Sequence, residues 1–299
     1  MHRYAVAIVV ALGGLPFSAL NAQQPTGPVR ELAPGIISTG KGFTVTFSPD
    51  GQDVYFTARD PQSPPDKPVS HVYHSRLKGD QWQPAAAVPF SSSDWSDLDP
   101  FLSVDGRRLY FVSTRVAPGK DPAKRDMDIW YSEAAGNGWG TPVWLPEINS
   151  PAKEGSPSLD RQNTIYFFSD RDAPSNQNAI YSSTWSGGKF TAPNKLPAPI
   201  NAGPSDTSPW IAPDGNTLLF YSTRSGGAGQ ADLYLSGRSA AAWSPAENLG
   251  PVVNTAEFEY NASISRDGKT FYFGRQGKIF MVPLDSLHVA TLTASRFTK

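Results

Sequence analysis

Apolar and polar residues alternate for a few positions, break at an Asp-Gly pair, resume, and end in adjacent aromatic or apolar residues. This figure returns every 53 to 55 residues or so along the chain. Its copies read FTVTFSPDGQDVYFTAR (Phe43 to Arg59), LDPFLSVDGRRLYFVSTR (Leu98 to Arg115), GSPSLDRQNTIYFFSDR (Gly155 to Arg171), TSPWIAPDGNTLLFYSTR (Thr207 to Arg224) and YNASISRDGKTFYFGR (Tyr260 to Arg275). Period-two alternation on both sides of an Asp-Gly turn predicts a β-hairpin, so each copy supplies strands A and B of one sheet. The third copy replaces Asp-Gly with Asp160, Arg161, Gln162 and Asn163. Asn tolerates a left-handed backbone, so that hairpin is expected to survive.

A short hydrophobic–aromatic core follows each hairpin and predicts strand C: Val72-Tyr73, Ile129-Trp130, Ile180-Tyr181, Leu233-Tyr234 and Ile279-Phe280. In the first four copies a turn is then expected at Trp82 and Pro84, Trp139 and Pro142, Phe190 and Pro193, and Trp243 and Pro245. A fourth strand is expected through Val88, Leu145 to Ile148, Leu196 to Ile200 and Leu249 to Val253. The fifth copy lacks this last part, while Leu32-Ala-Pro-Gly-Ile36 resembles Leu196-Pro-Ala-Pro-Ile200 and stands the same distance before its hairpin. The pattern therefore predicts an all-β, five-bladed β-propeller of four-stranded blades, closed by an N-terminal strand within residues 30 to 38 that pairs into the last blade and covers its edge. It is one domain, with a short tail from residue 284.

The SPDG turn, the Tyr-Phe after it, the Ser-x-Arg ending and the Asp-Ile-Trp or Asp-Leu-Tyr third strand resemble the TolB-like (SPDG-repeat, WD40-like) propeller family over nearly all of the chain beyond residue 22. The resemblance implies the fold and leaves the activity open. That family includes periplasmic binding and scaffolding proteins, domains fused to peptidases, and some polysaccharide-active enzymes.

Composition narrows the function classes. Residues 1–22 read as an export signal: His2 and Arg3 precede an apolar run from Tyr4 to Leu15, shorter than the ~20 residues of a membrane span, and small residues follow up to Ala22. The remaining residues, 23–299, form the single domain, with a periplasmic or secreted location and no later membrane span expected. With no cysteine, thiol catalysis, thiolate metal sites and disulfides are excluded. A net charge of −1 without a basic cluster argues against nucleic acid. His71 and His74, three apart on one strand, face opposite ways and make no metal pair. No resident cofactor and no metal ligand set are predicted, and a monomer is expected.

The candidate chemistry lies at the start of strand A. Aligned on the turns, the five copies place Gly42, Asp97, Glu154, Asp206 and Glu259 there, with Thr44, Asp99, Ser156, Ser208 and Asn261 two residues on. By the two-residue period both sets are expected to face the mouth of the central channel. Strand B returns Arg59, Arg115, Arg171, Arg224 and Arg275 to the same end.

Two roles stand open for this ring. The arginines staple blades through bidentate contacts to the acids or to Asp128 and Asp232, or the ring binds a ligand: Ca²⁺ at the mouth, or a polyhydroxylated molecule against Trp95, Trp210, Phe258 and Tyr260. Trp95 is expected to be exposed, and Trp210 is equally compatible with packing between blades. Long loops after strand B in blades one (Asp60 to Ser70) and two (Val116 to Met127), against only Gln276 and Gly277 in blade five, predict an uneven rim with a groove toward Glu259. The ligand-binding candidates are thus Asp97, Asp99, Glu154, Asp206, Glu259, Trp95, Arg115, Arg171 and Arg224. The leading reading is a non-catalytic binding module for a protein partner or an extracellular glycan. The alternative is a glycoside hydrolase or lyase using the channel-mouth carboxylates, against which the adjacent arginines are expected to hold the acids' pKa values down.

Overall fold

The aromatic pairs of strand B show why the chain folds as stacked sheets. Tyr110 joins an apolar cluster with Leu159, Phe167 and Tyr181 on one side, while its neighbour Phe111 joins Val72, Val88 and Leu102 on the other. A strand apolar on both faces must be sandwiched between two others. Five such clusters, one at each junction of neighbouring blades, make up the core.

The computed structural model describes residues 29–123, 125–136, 138–172, 177–239, 242–287 and 289. The predicted export segment and the end of the tail lie outside these residues. The chain forms five antiparallel sheets arranged as a five-bladed β-propeller. Strand A runs Gly42–Phe47, Asp97–Leu102, Glu154–Leu159, Asp206–Ile211 and Glu259–Ile264 in blades one to five. Strand B runs Asp53–Arg59, Arg108–Ser113, Thr164–Ser169, Thr217–Ser222 and Thr270–Arg275, and strand C begins at Ser70, Asp128, Ala179, Asp232 and Lys278. The closing strand is Arg30–Glu31, paired antiparallel with strand C of blade five at Met281 and Phe280. Among the described residues no helix is long and apolar enough to cross a membrane.

The A–B turns follow the sequence reading. In blade one, Ser48 Oγ donates to Asp50, Asp53 N donates to Ser48 Oγ, and Gly51 holds φ 71°. In blade three, Asp160 Oδ1 accepts from the backbone N–H groups of Gln162 and Thr164, and Asn163 takes the left-handed position at φ 57°.

The fourth strand differs from expectation. In blades one to four it is two short pieces, such as Gly138–Trp139 and Val143–Trp144, both paired to strand C. The Trp residues therefore lie in a strand rather than a turn. The break falls at the proline, which has no N–H to give the ladder. Val88, Leu145, Ile148, Leu196, Ile200, Leu249 and Val253 come after the second piece and are buried. An asparagine ties this segment to strand C in three blades. Asn149 accepts from Ile129 N and donates to Ile129 O and Leu145 O, with distances of 2.7 to 3.0 Å. Asn201 and Asn254 bond Ile180 and Leu233 in the same way. In the closing segment Ser38 Oγ takes the asparagine's place and accepts from Ile279 N.

Candidate functional site

Strand A does not keep the two-residue period on which the double ring was expected. Its pairing with strand B slips by one residue in every blade, at Gly42/Val45, Leu98/Phe101, Gly155/Ser158, Thr207/Trp210 and Tyr260/Ser263. Asp99, Ser156, Ser208 and Asn261 sit in this bulge at φ 47° to 50°. A bulge re-aims side chains, and here it separates the two rings. The first set turns into the protein, whereas the second converges on the channel axis.

Asp97, Glu154, Asp206 and Glu259 are buried, at most 1 % exposed, rather than displayed at the mouth. Each pairs with an arginine: Arg115 with Asp97 at 2.7 Å, Arg171 with Glu154 at 2.9 Å, Arg224 with Asp206 at 2.8 Å and Arg275 with Glu259 at 2.8 Å. Three of these arginines also donate to a carbonyl of the buried segment after the fourth strand: Arg171 to Ile148 O, Arg224 to Ile200 O and Arg275 to Val253 O. Glu154 is further held by Ser150 Oγ and N and by Ser169 Oγ, Asp206 by Gly203 N, and Glu259 by Thr255 Oγ1 and N.

The register shows that the arginines are not all equivalent. Ser113, Ser169 and Ser222 stand opposite Asp97, Glu154 and Asp206, with the arginine two residues later. In blade five Arg275 itself stands opposite Glu259 and reaches the same acid from a different backbone position. In blade one Gly42 faces Ala58, so Asp60, not Arg59, occupies the arginine position. Asp128 and Asp232 do not receive the arginines. Lys120 Nζ bonds both oxygens of Asp128, and Asp232 accepts from Ala228 N, Gly229 N and Asn248.

Asp97 departs from the other acids. Its second carboxylate oxygen is buried without a hydrogen-bond partner. Burial pushes its pKa up despite Arg115 and Ser113, which pull it down. The arginine therefore does not keep this acid below its usual value, since desolvation is the larger effect. Trp95 is half-buried rather than exposed, with its indole N–H covered, and Arg115 lies 5.0 Å from its ring centre. Trp210 packs against two core clusters, between blades.

The second ring meets across the axis. Asn261 Nδ2 donates to Thr44 Oγ1 (2.6 Å), Thr44 Oγ1 to Asp99 Oδ1 (2.7 Å), Ser156 Oγ to Asp99 Oδ2 (2.7 Å), and Ser156 and Ser208 hydroxyls lie 3.1 Å apart. One side chain from each blade thus narrows the channel, and Asp99 is the single carboxylate among them. Among the described residues no group of three or more His, Asp or Glu side chains is placed to hold a metal. Beyond the ring the channel holds a cavity of about 60 Å³, room for a few waters and too small for a saccharide. At its far end Arg266 reaches from the A–B turn of blade five to Leu102 O (3.0 Å) and Ser103 O (3.2 Å) of blade two. Burial and the nearby Arg161 hold the pKa of Arg266 below the usual arginine value.

Beside the ring lies a feature the repeat alignment did not single out as a unit. Phe43, Tyr260, Phe258 and Tyr221 form a row with successive ring centres 6.3, 6.0 and 5.1 Å apart. Phe43 is 39 % exposed. Burial pushes the Tyr221 hydroxyl up to about 12. The row crosses from blade four through blade five to blade one. Its rim there is the two-residue turn Gln276-Gly277, both at positive φ (50° and 73°). Phe258 and Tyr260 were individually legible as flat apolar groups. Phe43, at an unremarkable strand position, was not, and the signal for it was its contact across the ring closure.

No protein-family model and no curated protein sequence matches the chain. Among solved structures the likeness is weak. A protein from Agrobacterium tumefaciens described as a TolB is 18 % identical, with 79 % of this chain and 71 % of that one covered at a TM-score of 0.49. TolB from Acinetobacter baumannii is 12 % identical, with 81 % and 54 % covered at 0.47. A gluconolactonase from Xanthomonas campestris is 12 % identical, with 89 % and 98 % covered at 0.49. Similarity this low carries no argument about activity, which has to come from the chain's own residues.

Proposed function

We propose that this chain is an exported binding module that engages a protein partner on its channel-mouth face. The observation that carries the reading is the aromatic row Phe43, Tyr260, Phe258 and Tyr221, at the low sector of the rim beside the hydrogen-bonded ring of Asp99. A partly exposed apolar strip rimmed by polar groups is the composition of a protein-binding surface. Neighbouring rings in the row are inclined to one another by 43° to 68°. They present edges as much as faces, which suits interdigitating side chains better than stacked sugar rings. The higher walls are the loops between strands B and C of blades one and two, and Pro61, Pro64, Pro65 and Pro68 stiffen the first of them. The four acid–arginine pairs are taken up inside the fold, which leaves the row and Asp99 to meet a ligand.

The test is capture from an envelope extract and from a glycan array by the mature protein and by Phe43→Asp, with thermal melting of both. The expected result is one or more proteins retained by the wild type and lost with Phe43→Asp at unchanged Tm. Retention of glycans that the substitution abolishes replaces the protein with a glycan. Product release from a polysaccharide panel, lost in Asp99→Asn at unchanged Tm, establishes the hydrolase or lyase alternative instead.

A further inference from the structure

In blades two to five a guanidinium lies over two rings paired across strands B and C. Arg115 covers Phe111 and Trp130, Arg171 covers Phe167 and Tyr181, Arg224 covers Phe220 and Tyr234, and Arg275 covers Phe273 and Phe280, at 4.7 to 5.4 Å from the ring centres. Blade one keeps the ring pair, Phe56 stacked on Tyr73 with centres 5.8 Å apart, but carries no arginine over it. Asp60 stands at that position, and its carboxylate turns away to Gln62 N (2.9 Å) and His71 (3.5 Å). Gly42 replaces the acid of the other blades, and Ala58 the serine of blades two to four.

In blade one there is consequently a cavity of about 430 Å³ at the seam between the closing segment and the first blade. Its accessible lining includes Tyr73, Ile36 and Ala85, over the buried Phe56 and Ala58, and it is bordered by Lys41 and Arg59. Its volume falls within the range of small-molecule sites. Among the described residues neither the Lys41 nor the Arg59 side chain has an ion pair or hydrogen bond. Two unpaired cations thus border one largely apolar cavity with the Tyr73 ring in its lining.

We propose that this cavity is a binding site for a small organic carboxylate with a flat apolar body. The body lies against Tyr73 and Ile36, and the carboxylate reaches Lys41 and Arg59 at the border. Arg gives a carboxylate two parallel hydrogen bonds, and both contacts are charge-assisted. An uncharged ligand of the same shape keeps only the apolar contact. The site is separate from the aromatic row at the mouth, so the two readings fail independently.

The experiment is calorimetric titration of the mature protein with 2-naphthoate and with the isosteric neutral amide, 2-naphthamide. Saturable binding of one naphthoate per chain is expected, with the amide weaker by at least about tenfold. The double variant Lys41→Gln/Arg59→Gln, whose changes lie at the surface, is expected to lower naphthoate affinity to that of the amide at unchanged Tm. A second variant, Gly42→Asp/Asp60→Arg, rebuilds the clamp of the other blades and is expected to abolish binding of both compounds. A Cβ at Gly42 meets nothing closer than 3.4 Å, so the acid has room to start. Equal affinity for the two compounds, naphthoate affinity unchanged in the double glutamine variant, or no saturable binding up to about 1 mM overturns the proposal.

Discussion

In blade three, Glu154 accepts hydrogen bonds from Ser150, Ser169 and Arg171, and the arginine lies on Phe167 and Tyr181 while bonding Ile148 O. In blade one, Gly42, Ala58 and Asp60 stand at the acid, serine and arginine positions, and Tyr73 of the corresponding ring pair borders a cavity. The difference is that in blade one the acid and its arginine are absent together. An acid buried without its arginine is a costly unpaired charge, and an arginine without its acid has no anchor, so removing one partner favours removing all. Where the unit is gone, the scaffold holds without it, because the apolar packing of Leu32, Ile37, Val45, Val54 and Phe56 closes the junction between blades five and one.

The sharpest way to break this comparison is to strand the acid. Arg171→Ala is expected to destabilise the protein by about 3–5 kcal/mol in urea unfolding, since Glu154 stays buried without a counter-charge. Arg59→Ala in blade one, with no acid to strand, is expected to change stability by less than about 0.5 kcal/mol. Similar losses for the two would mean that the clamp does not stabilise blade three.

The asparagine ties give the next largest effect. Asn201→Ala removes the side chain that bonds Ile180 N, Ile180 O and Leu196 O, and a loss of about 1–3 kcal/mol is expected in the same assay. Ser38→Ala, which removes the bond from Ile279 N at the ring closure, is expected to cost less.

A smaller effect separates Asp97 from the turn aspartates by its sign. Burial raises the folded-state pKa of Asp97 above the usual 3.8, so the native state binds this proton more tightly than the unfolded chain. Its contribution to stability therefore declines as pH rises from about 4 through the raised folded pKa. Asp97→Asn is expected to remove that decline, so the stability of wild type relative to the variant falls across the window when unfolding is followed from pH 4 to 7. Asp50 behaves oppositely. Hydrogen bonds from Ser48 and Gln52 hold its pKa below 3.8, so its contribution is present above that value and lost as pH falls through the lowered folded pKa. Asp50→Asn is expected to differ least from wild type, by a Tm drop measurable at pH 7 that vanishes in strong acid, because this turn is solvent-exposed.

The chain alone determined the blades, their number and their closure, because each is local or periodic. Asp-Gly turns set the hairpins, Asn163 could stand in for glycine on backbone grounds, and a pattern missing after Phe280 was found again at Leu32. Tertiary structure decided where the side chains of those strands point. One slipped residue in strand A turned Asp97, Glu154, Asp206 and Glu259 inward and sent Thr44, Asp99, Ser156, Ser208 and Asn261 to the axis, against the alternation that sequence reading assumes. Register, too, was invisible along the chain. Arg59 and Arg275 align with the other arginines by eye, yet only Arg275 reaches an acid, because pairing across strands rather than spacing along them fixes which groups meet. The aromatic row shares that origin: its contact between Phe43 and Tyr260 joins residues far apart in sequence that only closure of the ring makes neighbours.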